Sequence, residues 1–191
     1  FQQTWVIHDG QQKSGYVTAV GFYGDAVRIG HGSKGGWDTL GLERRVTRSE
    51  RNVLFELDGQ PALELYKQYL GDRAAELPAS CLFFPLAIRT DDAPDHTLVR
   101  TILAIDEDQQ SMTFAGDIPQ NAMAQLMRAN LDRIIEGASQ AATLTSRDVP
   151  GLIPTLAIAI SCVGRRLVLG ERTEEEIEAT MDILPPETTQ I

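Results

Sequence analysis

The chain has 191 residues, 42% hydrophobic and 23% charged, which is enough for one large or two small globular domains with a proper core and no disulfide staple. Its 27 acidic residues against 17 basic ones give a formal charge of -10, a field that repels phosphate backbones and anionic lipid and so excludes nucleic acid and a membrane surface as expected partners. Only Cys81 and Cys162 occur, with no C-x-x-C and no stretch of the roughly 18 apolar residues a membrane span needs, so a reducing, cytoplasmic setting without structural zinc is the default.

From Thr4 to Ile29, short runs of β-formers ("TWVI", "YVTAVGFY", "AVRIG") alternate with turn pairs and predict a β-meander. "NVLFEL" predicts a strand with Val53, Phe55 and Leu57 on one face. "DGQP" then supplies Asp58 as a capping oxygen and Pro61 near the start of a helix whose buried stripe is Ala62, Leu65, Tyr66 and Tyr69. "CLFFPLAI" and "LVRTILAI" read as strands, and the polar "DEDQQ" turn leads to "SMTFAG", suggesting an antiparallel hairpin. Asn130 caps a strong helix with Leu131, Ile134, Ile135, Ala138, Ala141 and Ala142 at helical spacing. "TLAIAI" is apolar on both faces and predicts a central strand. Thr173 and Glu176 read as a capping box opening a last helix with Ile177, Met181 and Leu184 inward. Consecutive strands with a few inserted helices point to an α+β fold with a mixed, largely antiparallel sheet and helices packed on it.

"GHGSKG" at residues 30 to 35 satisfies G-x-G-x-x-G after a strand, but no helix pattern follows on whose amides a pyrophosphate would sit, so the dinucleotide reading fails. The same stretch is a near miss to a nucleophile elbow at Ser33, and the remaining histidines, His8 and His96, lie in polar turns. His31, between glycines and six residues before Trp37, is read either as a turn histidine or as a cavity-lining residue able to ligate iron. The arginines at 44, 45, 48 and 51 form a possible positive patch, interrupted by Val46 and Thr47. Cys162 precedes Gly164, Arg165 and Arg166. Three readings stay open for it: a pocket residue favoured by free strand-end amides and an arginine, a buried structural thiol, or a nucleophile.

"GGWDTLGLERRVTRSERNVLFELDGQPALELYKQYLG", "FAGDIP" and "ISCVGRRLVLG" together resemble the FIST family, sensory domains of bacterial signalling proteins that also occur in eukaryotic F-box proteins. Residues 37 to 191 resemble the FIST C-terminal domain lacking its last strand, and residues 1 to 36 the tail of the FIST N-terminal module. The start at Phe1 fits a piece of a longer chain. The resemblance implies a non-enzymatic intracellular sensor of a small ligand, an amino acid being the usual suggestion, which signals to a histidine kinase, cyclase or similar partner. It carries over no catalytic residue, and no metal is expected. The expected ligand-binding set is Ser161, Cys162 and Arg165 at a pocket wall, with Arg165 as carboxylate partner and Trp37 or His31 at the mouth. The alternatives are a haem-based nitric oxide sensor using His31, with haem as the one cofactor to consider, and a ligand-free interaction platform.

Overall fold

The computed structural model describes residues 3–92, 97–145 and 156–191. Near the N-terminus, β1 (Val6–His8) and β2 (Gln11–Lys13) form an isolated antiparallel hairpin. The body begins with β3 (Trp37–Glu50), β4 (Val53–Leu57) and the two-residue β5 (Gln60–Pro61), followed by helix α1 (Ala62–Leu70). Short 3₁₀ turns lead to β6 (Leu86–Arg89), β7 (Leu98–Arg100), β8 (Ile102–Asp106), β9 (Ser111–Phe114) and β10 (Met123–Ala129). Helix α2 (Leu131–Thr145) comes next. Beyond it lie β11 (Leu156–Ala157), α3 (Val163–Leu169), α4 (Thr173–Met181) and β12 (Thr189–Gln190).

The main sheet runs β7-β6-β10-β3-β4-β9-β8, with β5 beside β4, and every pairing in it is antiparallel. Its two end strands, β7 and β8, are consecutive in the chain with only Thr101 between them, so the sheet must curl until its ends meet. The Thr101 carbonyl accepts a 2.9 Å bond from the Ala115 amide and helps fix that corner. The α+β, largely antiparallel expectation therefore holds, the one parallel pair among the described strands being β11 with β12.

The main core sits against the concave side of this sheet. Leu54, Leu63, Ile88, Met112, Phe114 and Ile118 are fully buried there, and α1 contributes Ala62, Leu65 and Tyr66. The Tyr66 hydroxyl donates to the Phe84 carbonyl at 2.9 Å, so the ring can be buried without an orphaned oxygen. A second, smaller cluster gathers Ile134, Val168 and Leu169 with Trp37, Leu82, Ala129, Leu131 and Ile135 between α2, α3 and the start of β3.

Several expectations are corrected. The β-meander does not form beyond β1 and β2. "YVTAVGFY" and "AVRIG" have no strand partner among the described residues, and β-propensity yields a strand only where a neighbour completes the ladder. "TLAIAI" is not a central strand: among its described residues only Leu156 and Ala157 pair as strand, on the small β11–β12 ribbon, and Ile158 and Ile160 are 59% and 91% exposed. Asp58 does not cap α1. Its carboxylate accepts from the Arg45 amide at 2.9 Å and from Arg44 at 3.2 Å, and Pro61 occupies the N-cap position. Thr173 and Glu176 form no capping box, because Thr173 bonds back to the Gly170 carbonyl and Glu176 turns inward, leaving Ile177 and Met181 exposed. "CLFFPLAI" is strand only from Leu86, its first half being a 3₁₀ turn.

Candidate functional site in the seam between the glycine-rich strip and the C-terminal helices

The glycine-rich stretch owes its composition to a close backbone approach. Residues 30 to 36 lie along α2 so tightly that a Cβ at Gly30 would overlap the Thr145 carbonyl oxygen, one at Gly32 that of Ala141, and one at Gly36 the backbone of Ile134. The helix answers with a glycine of its own, since a Cβ at Gly137 would overlap the Gly35 carbonyl. Only glycine lets an extended segment and a helix meet at this range. That is the physical reason for "GHGSKGG", and it leaves the strip's side chains, His31, Ser33 and Lys34, facing outward and exposed.

"SCVGRR" sits at the other wall of this seam. It is the opening of α3 rather than a strand exit: Cys162 is the N-cap residue, and its Sγ accepts from the Arg165 amide at 3.4 Å. One turn on, the Arg165 side chain is swept inward and is only 8% exposed. Its Nε donates to Glu176 Oε1 at 2.6 Å and its Nη2 lies 2.5 Å from the same oxygen. Nη2 also donates to the Ile134 carbonyl at 2.6 Å, and Nη1 to the Lys34 carbonyl at 3.3 Å. Ser161 completes the cluster by donating to Glu176 Oε2 at 2.7 Å. Glu176, 6% exposed, therefore has both oxygens satisfied. Such a buried pair is tolerable because each charge faces the other and the remaining donors reach carbonyls.

Of the expected site residues, Ser161 and Arg165 meet around Glu176, and Trp37 joins them through its packing on Ile134. Cys162 is exposed beside them. His31 lies at the far end of the strip, opposite Ala141 to Thr145, about 10–15 Å along α2 from Ile134 at the rise of a helix. The carboxylate that Arg165 was expected to bind is, in this structure, the protein's own Glu176. The Trp37 Nε1 atom is buried with no hydrogen-bond partner among the described residues. Unmade bonds of this kind cost about 1–3 kcal/mol. His8 stacks on Tyr16 and lies 3.4 Å from Asp9, and His96 falls outside the described residues.

The arginine cluster of β3 is spent on local partners. Arg44 meets Asp58 and the Tyr69 hydroxyl, which hold its guanidinium firmly charged; Arg45 donates to the Asn121 carbonyl, and Arg48 pairs with Glu56 while lying 4.3 Å over the Phe55 ring. No open polyanion surface results from these three.

Two cavities matter for binding. One, inside the main core between Tyr66, Tyr69, Arg44 and Met112, is about 20 Å³, room for one or two waters. The other, an open groove of about 190 Å³ lined by Lys34, Gln140, Thr143 and Leu144, lies where the strip crosses the C-terminal half of α2. Its Lys34 ammonium has no ion-pair or hydrogen-bond partner among the described residues, and Gln140 donates to Glu136 at 3.0 Å, leaving its own oxygen as an acceptor. This groove is polar and open, and His31 is not among its lining residues. Among the described residues no cluster of three or more His, Cys, Asp or Glu is placed to hold a metal ion.

Comparison with known families fits this seam between two parts of one chain. The FIST N domain matches residues 1–60 and the FIST C domain residues 62–191. The chain belongs to the FIST family. FIST domains are small-ligand sensory domains of signal transduction, not known as catalysts. No curated protein and no solved structure matches this FIST chain. No described helix is long and apolar enough to cross a membrane. The groove and the Arg165–Glu176 cluster both lie where the FIST N match, through residues 30 to 37, touches helices of the FIST C match. Sequence reasoning found Arg165 and Ser161 but missed Glu176, Lys34 and Gln140. Glu176 reads as a capping residue in the sequence, and the face it shares with Thr173, Ala179 and Thr180 has no apolar stripe to mark it as the buried one.

Proposed function

We propose that this FIST chain is a non-enzymatic cytoplasmic sensor that seats a free amino acid or similar zwitterion in the groove beside Lys34. The observation that carries the reading is the pairing of an uncommitted ammonium, Lys34, with an uncommitted acceptor, the Gln140 side-chain oxygen, in a groove of about 190 Å³. A ligand carboxylate would meet Lys34 and its ammonium would meet Gln140, with Leu144 against its aliphatic part. A groove of about 190 Å³ has room for a small amino acid. None of His31, Ser161, Cys162, Arg165 and Trp37 lines this groove, but Arg165 bonds the Lys34 carbonyl, and through that bond the ligand's presence would be felt by α3 and α4, from which a kinase or cyclase partner would read the signal.

Thermal shift against a panel of amino acids tests this. A true ligand at a hundred times its dissociation constant stabilises by about 2.7 kcal/mol, which raises the midpoint by several degrees in a domain of this size. Lys34→Ala should abolish the shift and Arg166→Ala should leave it. A panel without any hit, or a hit untouched by Lys34→Ala, would sink the reading.

A further inference from the structure

The strip over residues 30 to 36 is docked without the usual means. It belongs to no strand ladder, and four of its seven residues are glycines with no side chain to bury. His31, Ser33 and Lys34 point to solvent. Hydrophobic holding scales with apolar area removed from water, so this segment is held weakly for its length. Among the described residues, its one side-chain anchor is the bond from Arg165 Nη1 to the Lys34 carbonyl. Arg165 in turn is aimed by Glu176, which Ser161 orients, while Nη2 ties the same guanidinium to the Ile134 carbonyl of α2.

We infer that the strip is a releasable strap, and that the Arg165–Glu176 pair is its latch, holding the exposed N-terminal residues 3–29 to the body when closed and freeing them when open. The inference rests on the backbone fit and the buried ion pair and does not depend on any ligand. A buried guanidinium deprived of its counter-charge is strongly unfavourable and turns toward water. The Lys34 carbonyl then loses its donor, and nothing with comparable hold remains on the strap. The glycine seam makes closing specific, because the strap fits α2 in one register only.

The same geometry supplies the measurement. The Lys34–Gly35 bond is a trypsin site whose scissile carbonyl is the one Arg165 holds. Cleavage of a transiently open segment follows its open population. Limited trypsin digestion read by mass spectrometry compares cleavage after Lys34 with cleavage after Arg28, in the exposed segment, and after Arg128, inside β10. Glu176→Gln should raise the Lys34-to-Arg28 ratio about tenfold while Arg128 stays resistant, and Ser161→Ala should raise it less, in the same direction. An unchanged ratio in the folded variants, or Arg128 cleavage rising in step with Lys34, would overturn the latch and leave the pair a plain structural contact. If Glu176→Gln does not fold, the Ser161→Ala result decides alone.

Discussion

Cys162 and Arg165 are three residues apart, yet one thiol stands in solvent while the guanidinium beside it is buried, because α3 begins between them and turns only the later residue inward. The reason first seen for a reactive Cys162, an arginine lying against it, is thereby replaced. Arg165 gives the sulfur its backbone N–H and commits its charge to Glu176. What remains is access. Cys81 is 2% exposed, and burial pushes its thiol up, an effect the neighbouring Tyr66 hydroxyl opposes only in part. Limiting iodoacetamide at neutral pH should therefore label Cys162 first, with Cys81 modified only when urea opens the core. Equal labelling in native protein would mean that the core around Tyr66 breathes far more than its packing implies.

At the scale of elements, exposure reverses an expectation about stability. Ile158→Ala, which a central strand would make costly, should change the unfolding free energy by no more than about 0.5 kcal/mol, as for other surface positions. Ile88→Ala on β6, where the side chain is 1% exposed, should cost about 2–5 kcal/mol. Urea melts of the two variants check the contrast, and a large loss at Ile158 would show that β11 is covered in solution. The elements that were legible share a one-sided environment. "NVLFEL" became β4, although Leu54 and not Phe55 enters the core, Phe55 lying under the Arg48 guanidinium; "ALELYKQYL" became α1 to the residue, and Asn130 caps α2 through a 3.3 Å bond from the Arg133 amide. The two longest body strands carried no such pattern. β3 mixes Arg44, Arg45 and Arg48 with Gly41 at a left-handed φ of 76°, packed under Tyr69, and β10 carries Gln125 and Arg128. Both lie in mid-sheet with partners far away in sequence, and only the partners reveal them. In the site, Arg165 was legible as an unusual residue, but its meaning was not, because Glu176 reaches it from a separate helix.

For the molecule as a whole, the sheet order decides what can fold alone. β3 and β4, within the stretch matched by the FIST N domain, stand between β10 and β9, which belong to the FIST C match. Residues 62–191 by themselves would lack both middle strands and leave Leu126, Met112 and Phe114 without the Val46 and Leu54 they pack with. That fragment should therefore be aggregated or lacking fixed tertiary structure, as seen by dye binding and near-UV circular dichroism. A cooperative unfolding transition in the isolated fragment would show that the sheet re-pairs without them.

The same interleaving bears on how the chain is made. β3 must wait for β10, which leaves the ribosome roughly seventy residues later, or ~4–15 s at ordinary rates of synthesis. During that interval the nascent strand can pair only with β4, and one edge of the young hairpin lies open. The charged residues that hid β3 from a hydrophobic pattern, Arg44, Arg45 and Arg48, are on that account well placed to keep the waiting edge from joining a neighbouring chain.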